Sequence, residues 1–248
     1  MRVLFWNLGY SRGHTGSLGS YLFHGHRFFY HRRKTQETIL DEVARVVSNA
    51  NPHIFSFAEL STGAFHNHRL DQHKYLLSAL GDQHHVAYST CKYGGSLYSR
   101  LPFFRGNTNG TVSFIEASAG HHHLRGSAKK LVVETMLPDL TILTIHLPLS
   151  KKGRRVHLQE LAKTVNTHQG NIIIGGDFNL FYGTTELTDF LATTGLKAAG
   201  EPQPTFPAAK PRFHLDLFLY RFVDTTITPR VRTIDSKLSD HLPVLLEW

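Results

Sequence analysis

Ile172-Ile173-Ile174-Gly175-Gly176-Asp177-Phe178-Asn179 is the stretch on which the reading of this 248-residue chain turns. Three β-branched apolar residues favour a short buried strand, and two glycines close it in a turn that admits an acid directly afterwards. Polar residues that follow a core strand at once stand where α/β proteins place functional side chains. The pattern recurs along the chain: Arg2–Trp6 runs into Asn7, Ile54–Ala58 into Glu59, and Thr141–Ile145 into His146. Asp216 lies within Leu215–Tyr220, and Asp240-His241 opens Leu242–Leu246. Singly, most of these residues have ordinary uses, since Asn7 caps turns well, Asp177 N-caps helices and Glu59 suits a strand's surface end. Asp216 differs, because an acid among Leu215, Leu217, Phe218 and Leu219 needs a partner when buried.

Outward from these strand ends, Ile39, Leu40, Val43, Val46 and Val47 share one helical face, and that helix is expected to stop at Asn51-Pro52. Leu70, Leu76, Leu77 and Leu80 predict a second helix, Val156 to Val165 a third, and 185–194 a fourth. Between about 84 and 147, Val86–Thr90, Gly95–Ser99, Thr111–Ala117, Lys130–Met136 and Leu140–His146 read as successive strands. A Pro-rich loop spans 202–211. The central meander departs from a strict βαβα order, and no repeat or linker divides the chain. Two packed mixed β-sheets with helices outside would bury the apolar runs on both faces, so an α/β fold in a single domain, 1–248, is expected.

Composition sets further limits. Apolar residues make up 41% of the chain, enough for a packed core, and 27 Lys+Arg against 19 Asp+Glu leave a net charge of +8. That excess favours acidic partners: nucleic acid, phosphorylated molecules or an anionic membrane surface. No apolar stretch reaches the roughly 18 residues of a membrane span. The lone Cys91 excludes an intrachain disulfide and a Cys-based zinc site. The amino terminus reads as a strand and not as a secretory signal, which makes a cytoplasmic location the expectation.

Five segments, taken in order, resemble the endonuclease/exonuclease/phosphatase superfamily of deoxyribonucleases, AP endonucleases, sphingomyelinases and inositol-polyphosphate phosphatases. They are Phe5-Trp6-Asn7, Phe57-Ala58-Glu59, Thr144-Ile145-His146-Leu147, Gly176-Asp177-Phe178-Asn179 and Ser239-Asp240-His241-Leu242-Pro243. The resemblance implies a four-layer α/β sandwich, two mixed β-sheets flanked by helices, with the site at one edge of both sheets. It makes Glu59 the main ligand of a divalent metal, with Asn7 and Asp240 close by. Oxygen ligands without thiolate suit Mg²⁺ or Mn²⁺. Asp177 would position or deprotonate the attacking water, and Asn179 would orient water or phosphate. His241 would face the phosphoryl group, with Asp216 fixing its tautomer and favouring the imidazolium. His146 would be a second cationic donor. Histidine there is similar to the deoxyribonuclease, sphingomyelinase and inositol-phosphatase branches, whereas AP endonucleases typically carry tyrosine. Ala58 departs from the glutamine that nuclease branches usually place before the glutamate.

The implied activity is Mg²⁺-dependent, nuclease-like hydrolysis of phosphodiester bonds by a monomer without an obligate protein partner. The alternatives are a phospholipid phosphodiesterase and a phosphomonoesterase acting on lipid, inositol or nucleotide phosphates. A catalytically silent phosphate-binding module would have lost a metal- or water-activating residue, and every expected position is filled. For substrate contact the segment Leu8–Arg33 stands out, with Arg12, Arg27, Arg32 and Arg33 among Tyr21, Phe23, Phe28, Phe29 and Tyr30. Of these, Arg27, Arg32 and Arg33 are the expected substrate-binding residues. Such a segment suits base stacking with phosphate contact, insertion at a lipid interface, or packing onto the core. Arg105–Lys130 is similar in kind, and His121-His122-His123 within it reads as a solvated loop. Lys151-Lys152-Gly153-Arg154-Arg155 offers a basic rim, Arg155 and Gln159 resemble a structural Arg-x-x-x-Gln helix, and Tyr98-Ser99-Arg100 resembles a core strand element.

Overall fold

The computed structural model describes residues 1–28, 30–94, 106–126 and 129–248. Phe29, Arg105, the Gly95–Ser99 strand and Tyr98-Ser99-Arg100 lie outside the described residues. The described strands form two mixed six-stranded sheets. The first contains β1 (Arg2–Asn7), β2 (Ile54–Ser61), β3 (Val86–Cys91), β4 (Asn107–Ser113), β11 (Arg230–Thr233) and β12 (Val244–Glu247), in the order β11-β12-β1-β2-β4-β3. The second contains β5 (Ser118–His123), β6 (Leu131–Leu137), β7 (Leu140–His146), β8 (Asn171–Asp177), β9 (Lys197–Ala198) and β10 (Asp216–Arg221), in the order β5-β6-β7-β8-β10-β9.

Period-two alternation builds the layers, because successive strand side chains point to opposite faces. Val3 and Phe5 of β1 pack between the sheets with Ile54, Ile142, Ile173, Phe218 and Leu246. Leu4 and Trp6 face outward instead, under α2 (Arg33–Ala50) and α3 (Gln72–Leu80), against Leu40, Val43, Val47 and Leu76. On the second sheet Ile172, Ile174, Leu143 and Ile145 meet Leu158, Leu161 and Val165 of α4 (Lys151–Thr167) and Phe190 of α5 (Thr188–Thr194). The result is a helix–sheet–sheet–helix sandwich. A short α1 (Leu18–His24) follows β1. Among the described residues, no helix is long and apolar enough to cross a membrane.

Local signals account for the helix limits. Asp71 accepts from the Lys74 amide at 3.0 Å and Ser150 from the Gly153 amide at 3.2 Å, which caps α3 and α4. Asn51, at φ 45°, ends α2 in a left-handed turn ahead of Pro52.

Several expectations are corrected. His121-His122-His123 is no loop but the edge strand β5, paired with Val133, Val132 and Leu131. The Thr111–Ala117 run is split, with β4 ending at Ser113 and β5 starting at Ser118. Asn107 and Asn109 of the Arg105–Lys130 segment are buried in β4. The helix residue tied into the structure is Arg154, whose guanidinium binds both carboxylate oxygens of Glu186 at 3.0 and 2.8 Å, while Arg155 and Gln159 are exposed.

Candidate active site

Two parallel strand pairs end at the same edge of the sandwich. β1 and β2 run parallel with Asn7 opposite Ala58, which sets Glu59 next to Asn7. β7 and β8 run parallel with His146 directly opposite Asp177, and antiparallel β10 places Asp216 opposite Asp177 on its other side. Register alone therefore sets Asp177 between a histidine and an acid. The preceding Gly176 lies at φ 154°, and a Cβ there would sit 2.0 Å from the Ile145 carbonyl oxygen, so only glycine brings β8 this close to β7.

Asp177 is buried and held from several directions. Its Oδ2 accepts from Asn7 Nδ2 at 3.0 Å and lies 3.4 Å from His146 Nε2 and 3.9 Å from His241 Nε2, while Oδ1 accepts from the Asn179 amide at 2.9 Å. Burial pushes its carboxyl up to about 6, with Asp216 adding to the rise and His241, Lys129 and the Asn7 hydrogen bond opposing it. His241 Nδ1 meets Asp216 Oδ2 at 2.7 Å, and the Thr205 hydroxyl donates to the same oxygen. Burial alone would lower the His241 pKa, but Asp216 and then Asp177 outweigh it and raise it to about 10. The imidazole is therefore cationic at neutral pH, with Nε2 directed toward Asp177. Trp6 Nε1 donates to the His241 carbonyl at 2.9 Å and Ser239 Oγ to the Asn7 carbonyl at 2.6 Å, which ties the carboxy-terminal segment to β1.

Glu59 occupies a β-bulge, where the register shifts between Phe57 and Leu60 and its φ is 59°. A bulge re-aims a side chain, and a non-glycine residue at positive φ stores strain that the surrounding structure must hold. The Asn109 side chain receives the Glu59 amide at 3.2 Å, and Lys92 Nζ meets Glu59 Oε1 at 2.8 Å. Burial would raise the Glu59 pKa, but the Lys92 ammonium, with Lys129 adding to it, holds it well below the carboxylate range.

His146 differs from its expected cationic role. Burial lowers its pKa well below the ordinary value, and Lys129, with Nζ 2.6 Å from His146 Nε2, lowers it further, so the imidazole is neutral. The cation at this position is Lys129, itself lowered by burial to about 8. Lys92 is a residue that the sequence did not reveal, whereas Lys129 stands out there only as one basic residue of the Arg105–Lys130 segment. Asn179 sits at φ 54°, and its Nδ2 donates to the Leu147 carbonyl at 2.8 Å. Asp240 is half-buried beside Gly9, whose Cβ would lie 3.2 Å from Asp240 Oδ1.

The structure does not bring Arg27, Arg32 and Arg33 to this centre. Arg27 Nη1 donates to the Arg12 carbonyl at 2.8 Å, Arg33 pairs with Glu37 at 2.8 Å, and Arg32 is exposed at the start of α2. The basic rim after His146 lines a different feature. A groove of about 690 Å³ runs between α4 and α5, lined by Lys151, Arg155, Tyr182 and Phe190 and not by the residues of the centre.

The sequence of residues 6–241 matches the endonuclease/exonuclease/phosphatase family. The chain belongs to this family. Its members are hydrolases of phosphoesters and typically use a divalent metal. No curated protein matches the chain at the sequence level. Among solved structures, an endonuclease/exonuclease/phosphatase family protein of Bacteroides thetaiotaomicron is similar at TM-score 0.69 and 14% identity, covering 99% of this chain and 96% of that one. A truncated Caenorhabditis elegans TDP2 is similar at 0.62 and 15%, covering 99% and 95%. The B. thetaiotaomicron mannosyl-6-phosphatase is similar at 0.64 and 15%, covering 100% and 98%. At these identities the likeness is one of fold.

Among the described residues, one group of side chains gathers atoms that could hold a metal. Asp177, Asp216 and His241 bring ligand atoms within 4.8 Å of one another. Coordination by all three would place a dication against an imidazole that its surroundings keep protonated. Glu59, half-buried and held ionised chiefly by Lys92, is the other carboxylate here and, next to Asn7, offers oxygen donors of the kind hard cations prefer.

Proposed function

We infer that this protein is a divalent-metal-dependent hydrolase of phosphodiester bonds, nuclease-like, working as one catalytic domain over 1–248 and without an obligate protein partner. The observation that carries the reading is the Asp216–His241–Asp177 chain at the strand ends, one imidazolium between two carboxylates, with Asn7 bonded to Asp177. Glu59, with Asn7 and Asp240, would hold Mg²⁺ or Mn²⁺, which when bound neutralises charge on the phosphate. Asp177, raised to about 6, is mostly ionised at neutral pH yet more basic than an ordinary carboxylate, as suits a residue that takes a proton from water. Asn7 fixes its Oδ2 and the Asn179 amide its Oδ1, so the carboxylate is oriented before substrate arrives. His241 presents a charged Nε2–H to the phosphoryl oxygens, and Asp216 holds its Nδ1. Lys129 adds a second positive charge beside the neutral His146.

The groove between α4 and α5, separate in its lining from the centre, favours the nucleic-acid reading. Lys151 Nζ lies 5.9 Å from the Tyr182 ring centroid, an exposed aromatic with cations around it, as a base-stacking subsite requires. A second reading, a phospholipid phosphodiesterase, is favoured by adjacent Leu22 and Phe23 on α1, 78% and 79% exposed. Their segment is joined to the site's surroundings by the Ala209 amide donating to the Thr15 carbonyl at 2.9 Å. A panel of single- and double-stranded DNA, RNA, sphingomyelin and inositol phosphates with Mg²⁺ tests the two. The nuclease reading expects polynucleotide hydrolysis whose affinity falls steeply with salt. Turnover restricted to sphingomyelin or inositol phosphates would overturn it.

A further inference from the structure

Lys92 follows β3 and is 2% exposed at its side chain, one of the most deeply buried cations described. Its backbone amide donates to the Asn107 carbonyl at 2.9 Å, which fixes it to β4. Its ammonium lies 4.9 Å from the Tyr10 ring centroid and 5.4 Å from that of Tyr93, an aromatic setting favourable to a desolvated cation. The carboxylate it meets is Glu59, at 2.8 Å. Withdrawing an ammonium this far from water is unfavourable unless an anion compensates it, and the half-buried Glu59 carboxylate gains a counter-charge in return. Each therefore secures the other. Glu59 is also the residue read above as the main metal ligand, so an ammonium and a dication lay claim to one carboxylate.

We propose that Lys92 is a resident counter-ion for Glu59, which keeps the metal position formed in the metal-free protein and holds its affinity for divalent cations low. This rests on the reading of Glu59 as a metal ligand. A dication arriving at Glu59 meets a carboxylate already neutralised, with a second ammonium, that of Lys129, among the charges acting on Glu59. Removing the Lys92 charge leaves Glu59 uncompensated, and metal then becomes the ion that compensates it.

Isothermal titration with Mn²⁺ alone, on the full chain, compares wild type, Lys92→Gln, Lys92→Arg and Glu59→Gln. Lys92→Gln keeps a hydrogen-bond donor for Glu59 and is expected to bind Mn²⁺ at least about tenfold tighter, a change of about 1.4 kcal/mol. Lys92→Arg keeps the charge and is expected to bind no tighter than wild type. Thermal unfolding gives an independent readout, in which Mn²⁺ raises the melting temperature of Lys92→Gln more than that of wild type. Glu59→Gln is expected to abolish binding. If Glu59→Gln abolishes binding but Lys92→Gln binds no tighter, the counter-ion proposal fails and the assignment of Glu59 stands. Wild-type affinity in Glu59→Gln would overturn both. Where Lys92→Gln is unfolded without metal, failure of Mn²⁺ to restore its far-UV circular dichroism would also overturn the proposal.

Discussion

Asp216→Asn isolates the electrostatic part of the site from its geometry. The amide oxygen still accepts from His241 Nδ1, so the imidazole keeps its orientation while the charge that sustains its protonation is lost. With both side chains buried and 2.7 Å apart, breaking the charge pair costs about 3–5 kcal/mol of stability. The pH range follows from the direction of the shift. His241 is raised to about 10, so the pair stabilises the fold fully below its ordinary pKa near 6.5 and loses that contribution as the pH climbs through 10. The stability gap between wild type and variant is therefore expected to be wide near pH 6 and to close by about pH 10. Activity follows the opposite course. In wild type His241 is almost fully protonated at pH 8, whereas in the variant its pKa relaxes toward about 6.5, leaving about 3% imidazolium there and half at pH 6.5. Turnover of bis-p-nitrophenyl phosphate with Mg²⁺ is expected to fall about 30-fold at pH 8 but only about twofold at pH 6.5. A deficit of equal size at both pH values, or none, would refute the assignment of Asp216 as the residue that positions and charges His241.

Two further outcomes follow from other parts of the molecule. Lys129→Met removes a cation with a pKa of about 8, so KM for an anionic substrate is expected to rise about tenfold at pH 7. Wild-type KM should also climb above pH 8 as Lys129 deprotonates, a rise absent from the variant; parallel KM profiles would exclude a substrate contact. Arg154→Met strands Glu186 beneath α4 and is expected to cost about 3–5 kcal/mol in urea unfolding, against well under 1 kcal/mol for Arg155→Met.

The strand ends were legible in the sequence because parallel pairing gathers them without long-range information. Pairing of β1 with β2 sets Asn7 beside Glu59, and pairing of β7 with β8 sets His146 opposite Asp177. The Asn7–Asp177 hydrogen bond joins the two sheets there, and the apolar runs before these residues mark the strands. What escaped depends on partners. Lys92 and Lys129 stand in basic, Gly-rich surroundings where nothing distinguishes them from a solvated rim; only the pairing of β3 with β4 and of β6 with β7 carries them inward. The neutral state of His146 is not legible for the same reason, since it comes from burial and then from Lys129, 17 residues away in sequence. β11 escaped because Arg230-Val231-Arg232-Thr233 has no apolar run, as befits a strand at the edge of its sheet. His121-His122-His123 reads as a loop in the sequence because its β-character comes from pairing with β6 and not from its own composition.

The central claim is that Asp177 activates water for phosphoester hydrolysis. Its most direct test is the rate of Mg²⁺-dependent hydrolysis of bis-p-nitrophenyl phosphate by Asp177→Ala, with the fold verified by circular dichroism. The expected result is an intact fold and a rate lower by about 10²–10⁴-fold or more. An Asp177→Ala protein as active as wild type would contradict the account.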